Sequence, residues 1–278
     1  MVMLVLALMT SSCTSNNTDT PVNHWVIGIL PDQHKDKILS VYQPLIDYLS
    51  GETGATFEIR VPDSYQELLA WFGRKEINLA LFGGVTFVKA HQQFNAVPLV
   101  KRDIDGNYSH YILVRTGIVA GDLKSLKGLK FAFGSPLSTS GNIMPRYYFQ
   151  ESGIDPDTHF SEIHYSGAHD KTALMIQNGT VDAGAVNSGV ARKMYETGEL
   201  DKQRVRILWR SLPYQDYVFA VQHDISNAAR HGLIEAFLKL HPADDKHREI
   251  LQQLGANYYL PSLAEEFNLV RSVVSRDD

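Results

Sequence analysis

One cysteine, Cys13, stands in 278 residues, so an internal disulfide and a cysteine-built metal site are both excluded. Eleven histidines are present, yet no HExxH pairing places two of them on one helix face for a hydrolytic metal. His241 and His247 fall in a polar tail and read as solvated side chains, so no metal and no cofactor are expected. Basic runs are absent as well. Lys and Arg number 26 against 31 Asp and Glu, a net charge of −5, and a nucleic-acid partner is not expected. The single apolar run, MVMLVLALM, is too short to cross a bilayer.

What remains is ordinary globular composition, 44% hydrophobic and 21% charged, enough for one large domain or two smaller ones. The apolar run ends in small residues and Cys13, the layout of a lipoprotein signal. No Lys or Arg precedes the run, and Thr10 occupies a position where leucine is usual. Residues 1–13 are therefore expected to be a signal ending at a lipid-attachment cysteine, Cys13. Residues 14–23 are polar and are expected to form a flexible tether.

From residue 24 onward, strand-like and helix-like patterns alternate. HWVIGIL, TFEIRV and NLALF read as strands. Between them, residues 36–50 and SYQELLAWFGRK read as helices, with Pro44 marking a kink or late start in the first and Asp63 or Ser64 capping the second. KFAF, SEIHY, VDAGAV, VRILW and YVFAV continue the strands, and everything from Ser226 is expected to be helical. Strands alternating with helices predict an α/β protein with mostly parallel sheets. INLALFGGV (77–85) and VDAGAVNSGV (181–190) echo one another and suggest two lobes of similar construction. Ligands of open α/β sheets sit beyond the carboxyl ends of the strands, so two such lobes facing each other make a cleft.

The segment SPLSTSGNIMP, Ser135–Pro145, carries the chemistry. It joins the strand KFAF to a helix, and Pro145 is tolerated only in a first turn. The cap is therefore expected near Gly141 or Asn142, leaving Ser138, Thr139 and Ser140 at the entrance. A helix N-terminus offers free N–H groups and partial positive charge, and three hydroxyls add neutral donors, which together suit an anion. The simpler alternative is a hydroxyl-rich turn capping its own helix. His169 falls in the first turn of another helix, Asp216 precedes a strand, and Thr86 follows the Gly83–Gly84 turn.

FGGVTFVKA (82–90), FAFGSPLSTSGNIMPRYYF (131–149), YSGAHDKTALMIQNGTVDAG (165–184) and PYQDYVF (213–219) together resemble the phosphonate/phosphite-binding proteins of bacterial ABC importers, over roughly residues 25–222. The resemblance implies a type II periplasmic-binding fold, two α/β lobes joined by two hinge strands. Lobe 1 would comprise 24–113 plus 221–278 and lobe 2 114–220, with crossings near 112–117 and 217–222. It also implies ligand-binding roles for Ser138, Thr139, Ser140, His169 and Asp216, and less directly for Thr86 and Asn187. The implied partners are a small phosphorus oxyanion, an ABC permease with its ATPase, and the membrane through Cys13, with the protein itself a monomer. Asp216 beside an oxyanion is repulsive unless a shared proton joins the two, which favours hydrogen phosphite, hydrogen phosphate or a phosphonate monoanion over sulfate. No second acid is evident in these motifs, so a small ligand, phosphite or methylphosphonate, is expected. A sensory module for the same ligands is the alternative. An enzyme using Ser138 or Ser140 with His169 and Asp216 is disfavoured, because neither serine has the G-x-S-x-G turn of an activated nucleophile.

Overall fold

The structure is a computed structural model that describes residues 22–277. The expected signal segment 1–13 with Cys13, and residues 14–21 of the expected tether, lie outside the described residues. Along the chain, β1 (His24–Ile29), α1 (Lys35–Thr53), β2 (Thr56–Arg60), α2 (Tyr65–Gly73), β3 (Leu79–Phe82), α3 (Gly84–Phe94) and β4 (Val97–Arg102) come first. Then follow β5 (His110–Arg115), β6 (Lys130–Phe133), α4 (Met144–Glu151), α5 (Pro156–His159), β7 (Glu162–Tyr165), α6 (His169–Gln177), β8 (Ala183–Asn187), α7 (Ser188–Thr197) and β9 (Val205–Arg210). The chain ends with β10 (Val218–Val221), α8 (Asn227–Leu238), α9 (Asp245–Gln253), β11 (Tyr259–Pro261) and α10 (Asn268–Asp277).

Two sheets result, in the orders β11-β4-β10-β3-β1-β2 and β7-β6-β8-β5-β9. In each, a parallel trio (β2-β1-β3 and β7-β6-β8) meets one antiparallel strand that arrives from the other half of the chain, β10 in the first and β5 in the second. The echo between residues 77–85 and 181–190 is thus topological: β3 and β8 hold equivalent places and each feeds a helix. Local chemistry explains the elements. Ser64 caps α2 by accepting the Glu67 N–H, while the Glu67 carboxylate accepts the Asp63 N–H at 2.7 Å, a reciprocal cap. Helix α1 runs through Pro44 without ending, buries Ile38, Leu45, Ile46 and Leu49, and stops at Gly54, whose φ of 68° a side chain would resist.

Each sheet has its own core. Tyr65, Phe72, Phe82, Phe219 and Phe237 are sealed in the first lobe. Phe131 in the second stacks on Phe160 at 4.3 Å and meets Phe149 edge-on. Burying side chains of this size stabilises each lobe by about 1.5–3 kcal/mol apiece.

Three expectations need correcting. The sheets are mixed rather than mostly parallel, with β10 antiparallel to β3 and β4, β11 to β4, and β5 to β8 and β9. The tail is not wholly helical, because Tyr259–Pro261 pairs with β4 as an edge strand; a three-residue strand ending in proline leaves no alternating pattern to recognise. The crossings also come earlier. β5 lies in the second sheet and β10 in the first, so the chain passes between lobes after Arg102 and again after Arg210, with Tyr108 and Tyr214 paired across the two passages. The stretches YILVR and YVFAV therefore each belong to one lobe's sheet and do not bridge the lobes.

Candidate functional site

The strand ends of the two lobes face each other and are tied by hydrogen bonds. His169 N–H donates to the Asp32 carbonyl at 2.9 Å, His34 N–H to Asp170 Oδ2 at 2.8 Å, and Lys37 reaches Glu199 at 3.3 Å. Thr86, Ser138, Thr139, Ser140, His169, Asn187 and Asp216 are all buried in this region.

The cap of the STSG segment sits differently from expectation. Ser138 is the N-cap, its Oγ accepting the Gly141 N–H at 3.0 Å. Residues Thr139–Ile143 form a single wide π-turn before α4 begins at Met144. Thr139 and Ser140 therefore belong to the turn itself and not to a loop ahead of it. Wide turns of this kind often mark functional sites, because they redirect side chains that an α-turn would stack. Gly141 is required here: a Cβ would lie 2.9 Å from Ser138 Oγ and 3.0 Å from His169 Cε1.

Three helix starts converge on the turn. At α3, the Gly84 N–H donates to Asp216 Oδ1 at 2.9 Å and the Val85 N–H to Thr139 Oγ1 at 3.0 Å, the second bond crossing between lobes. At α6, His169 is the first helical residue. At α7, Asn187 is the cap, its Oδ1 accepting from Gly189 and Val190, while its Nδ2 points towards Ser140 Oγ at 3.5 Å and donates to the Tyr217 hydroxyl at 3.2 Å. Such ends attract negative charge. Thr86 is the exception among the expected residues: its hydroxyl donates back to the Gly83 carbonyl at 2.9 Å and closes the α3 cap.

Protonation states follow from the surroundings. Burial holds the His169 pKa down to about 3, so the ring is neutral. Its Nδ1 accepts the Asn187 N–H at 3.3 Å; the ring proton is therefore on Nε2, which lies 3.5 Å from Ser140 Oγ. His169 is thus a neutral donor facing the turn. Burial pushes Asp216 up to about 6 against the pull of the Gly84 N–H and Thr139, with nearby Asp105 adding to the rise. Its Oδ2 is buried with no hydrogen-bond partner in the protein. Arg102, which lines a cavity with Asp32 and Tyr217, is engaged with Asp105 at 2.7 Å and with the Leu254 carbonyl. The groups facing the turn are hydroxyls, an amide, an imidazole and one carboxylate.

Several participants were missed. Asp32, at the end of β1, accepts the Tyr217 hydroxyl at 2.7 Å, and burial raises its pKa to about 6. It is a second acid beside the cleft, and the rule that ligands gather at strand ends could have pointed to it. Tyr217 adjoins Asp216 within PYQDYVF. Tyr65, buried at the start of α2, left no signal beyond following a cap. Among the described residues, no cluster of three or more His, Cys, Asp or Glu is placed to hold a metal, and no helix is long and apolar enough to cross a membrane.

Known proteins agree with this architecture. The chain is 26% identical over 260 residues to the "Probable ABC transporter phosphite binding protein PhnD1" of Prochlorococcus marinus (strain MIT 9301), covering 89% of this chain and 87% of that one. It is 28% identical over 236 residues to the phosphate-import protein PhnD of Mycolicibacterium smegmatis, covering 77% and 73%. The solved structure of Prochlorococcus marinus PhnD1 in complex with methylphosphonate superposes with a TM-score of 0.87 at 25% identity, covering 91% of this chain and 98% of that one. The family described as "ABC transporter, phosphonate, periplasmic substrate-binding protein" matches residues 27–267. With two lobes, strand ends meeting across a cleft and this match over most of its length, the chain belongs to the phosphonate family of periplasmic substrate-binding proteins of ABC transporters.

Proposed function

We propose that the chain captures a small, singly protonated phosphorus oxyanion, hydrogen phosphite or a small phosphonate such as methylphosphonate, and delivers it to an ABC permease driven by its ATPase. One observation carries this reading: a buried carboxylate oxygen without a partner, Asp216 Oδ2, sits within a set of neutral donors. An oxyanion bearing one proton satisfies both sides at once. Its bare oxygens accept from Ser140, His169 Nε2–H and the turn, and its P–OH donates to Asp216 Oδ2. Each hydrogen bond to a charged group contributes about 1.5–3 kcal/mol. Sulfate carries no proton, so it meets an ionised Asp216 acceptor to acceptor unless Asp216 takes up a proton first, which from a pKa of about 6 costs about 3 kcal/mol at pH 8.

Relatives support the ligand class, naming phosphite, phosphate and methylphosphonate among themselves. Phosphate is the third candidate and is distinguished from the others only by its fourth oxygen. Ser138, Thr139, Ser140, His169, Asn187 and Asp216 are the proposed contacts, and Thr86 supports the α3 cap beside them. Hinge bending at the two passages near Tyr108 and Tyr214 would open and close the cleft. We also propose attachment to the outer face of a bacterial membrane through lipid on Cys13.

Isothermal titration of refolded, ligand-free protein with phosphite, methylphosphonate, aminoethylphosphonate, phosphate and sulfate tests the proposal. At about pH 8, tight binding of phosphite or methylphosphonate with sulfate weaker by about a hundredfold is expected. Equal affinity for sulfate would overturn it.

A further inference from the structure

Two helix starts that face each other across the lobes lack a cap of their own. At α1 the capping position is His34, and at α6 it is Ala168; neither side chain accepts a hydrogen bond from its helix. Ser, Thr, Asp and Asn are the usual residues there. Each start is instead partnered from the other lobe. The His169 N–H, first of α6, donates to the Asp32 carbonyl at 2.9 Å, and the His34 N–H donates to Asp170 Oδ2 at 2.8 Å. Asp170 is buried, and its other oxygen accepts the Lys171 N–H at 2.7 Å. That bond lies within lobe 2 and does not depend on the lobes meeting, so the carboxylate stays aimed at lobe 1. Asp32 is held in turn by the Tyr217 hydroxyl, which donates to its carboxylate at 2.7 Å. Asp170 has no part in the ligand contacts proposed above.

We propose that Asp170 is a positioning residue of the oxyanion site: with Asp32 and His34 it forms a latch that holds the two lobes together around the ligand. The inference rests on the oxyanion reading given above. That site is split between the lobes. Ser140 and His169 stand in lobe 2, 3.5 Å apart, while Asp216 is bonded to Gly84 of lobe 1. A ligand is held by both halves only when the lobes meet. The latch is built on His169 itself, through its backbone N–H, and on the residue next to it. It therefore fixes how closely the donor half approaches the acceptor half. Both helix starts carry partial positive charge, and the Asp170 carboxylate serves the two of them at once. When the lobes part, the His34 N–H and Asp170 Oδ2 pass to water, so the open form pays little for losing the latch. The closed form gains a hydrogen bond to a charged group. The Lys37–Glu199 pair alongside is partly exposed and contributes little. A latch that forms after the ligand has entered slows release and leaves entry unchanged.

Two variants remove the same bond from opposite sides. Asp170→Asn keeps the shape, but its amide nitrogen must then face either the His34 or the Lys171 N–H, donor to donor. His34→Pro deletes the N–H, and the φ of −57° at His34 is one that proline adopts. His34→Ala keeps the N–H and removes only the exposed ring. Stopped-flow and calorimetric titration of the intact chain with methylphosphonate read the outcome. Asp170→Asn is expected to bind about tenfold more weakly than wild type, and His34→Pro about tenfold more weakly than His34→Ala, through faster release at an association rate kept within about twofold. Because both lose one bond, the double variant is expected to stay within about twofold of the weaker single one. Melting curves of ligand-free protein report whether each variant is folded, and the rates of Asp170→Asn decide the matter if His34→Pro is not. Losses that multiply in the double variant, a slower association in place of faster release, or Asp170→Asn binding within about twofold of wild type would overturn the latch while leaving the oxyanion reading intact. A wild type that binds neither methylphosphonate nor phosphite would overturn both.

Discussion

Replacing Asp216 with asparagine changes one proton inventory and little shape. Oδ1 of Asp216 accepts the Gly84 N–H at 2.9 Å. An amide can satisfy that donor only with its oxygen, so the amide nitrogen must take the place of Oδ2, the buried atom without a partner. An acceptor facing the cleft becomes a donor. Sulfate binds the wild type only against like charge or after Asp216 takes up a proton, which from a pKa of about 6 costs about 1.4 kcal/mol at pH 7 and about 3 kcal/mol at pH 8; in the variant it gains a hydrogen bond of about 1.5–3 kcal/mol instead. Methylphosphonate loses the acceptor for its P–OH. The two shifts oppose each other, so the methylphosphonate-to-sulfate affinity ratio is expected to fall by about a hundredfold or more. Calorimetric titration of both ligands into wild type and Asp216→Asn at about pH 8, where protonating Asp216 for sulfate costs about 3 kcal/mol, measures it. A second effect fixes the sign independently. The folded-state pKa of Asp216 is about 6 against a reference of 3.8, so the folded protein holds the proton more tightly than the unfolded chain. Ionisation therefore lowers stability as pH rises from the unfolded to the folded pKa, and the cost levels at about 3 kcal/mol above it. Ligand-free Asp216→Asn should accordingly melt higher than wild type above about pH 7 and lose that advantage in acid. A ratio that stays within about threefold of wild type in a variant that is otherwise folded would refute proton sharing.

The same reasoning predicts that wild type takes up close to one proton per methylphosphonate at a pH where both Asp216 and the free ligand are fully ionised, the uptake falling towards zero as pH drops to where the free ligand already carries its proton; titration in two buffers of different ionisation enthalpy across that range reads this, and no uptake at the alkaline end would count against a shared proton. Ser138→Ala and Ser140→Ala should part company: Ser138 caps the π-turn, so its loss costs the ligand-free protein about 1 kcal/mol in melting as well as affinity, whereas Ser140→Ala should weaken binding with little change in melting temperature. His169, held near 3 by burial against a reference of 6.5, is neutral when folded and protonates on unfolding, so its contribution is complete above the unfolded pKa and is lost as pH falls towards the folded one. Acid melting of His169→Gln should therefore be flatter by about 3 kcal/mol near pH 4.5. Gly141→Ala pushes a methyl against Ser138, His169 and Gly134 and should cost about 1–3 kcal/mol of stability together with most of the binding.

The alternation of strands and helices was legible because the switch between periods of two and 3.6 leaves a pattern in sequence. The STSG segment stood out by its run of hydroxyls, while His169 and Asp216 were singled out only by the family resemblance; the structure brings all of them together around one turn. Other features depend on neighbours that arrive from elsewhere. Asp32 and Tyr217 meet across separate segments, bonding each other at 2.7 Å, and nothing local announces that their side chains come together. The cap at Ser138 could not be placed from Pro145 alone, since an α-turn and a π-turn fit the same residues and the choice is made by Thr139 bonding to α3 of the other lobe. The crossings were misplaced because an apolar run such as YILVR pairs equally well in either sheet; only the ladder partners, Ala183 to Asn187 for β5, decide.

At the proposed anion site, where among the described residues Arg102 is paired with Asp105, selectivity must come from where the protons are. A lysine would attract phosphite, phosphate and sulfate alike, as charge. Hydroxyls and imidazoles can donate or accept, so their value as anion ligands depends on every other partner they have. His169 donates towards Ser140 because Asn187 N–H occupies its other nitrogen. Asn187 points its amide nitrogen inward because its oxygen caps α7. Asp216 offers one acceptor because Gly84 occupies the other. Each inward-facing atom is thereby left with one role, and the sum is several donors against a single acceptor. A tetrahedral guest with bare oxygens and one proton complements that sum; a guest with no proton leaves an acceptor facing an acceptor in a region where water cannot intervene.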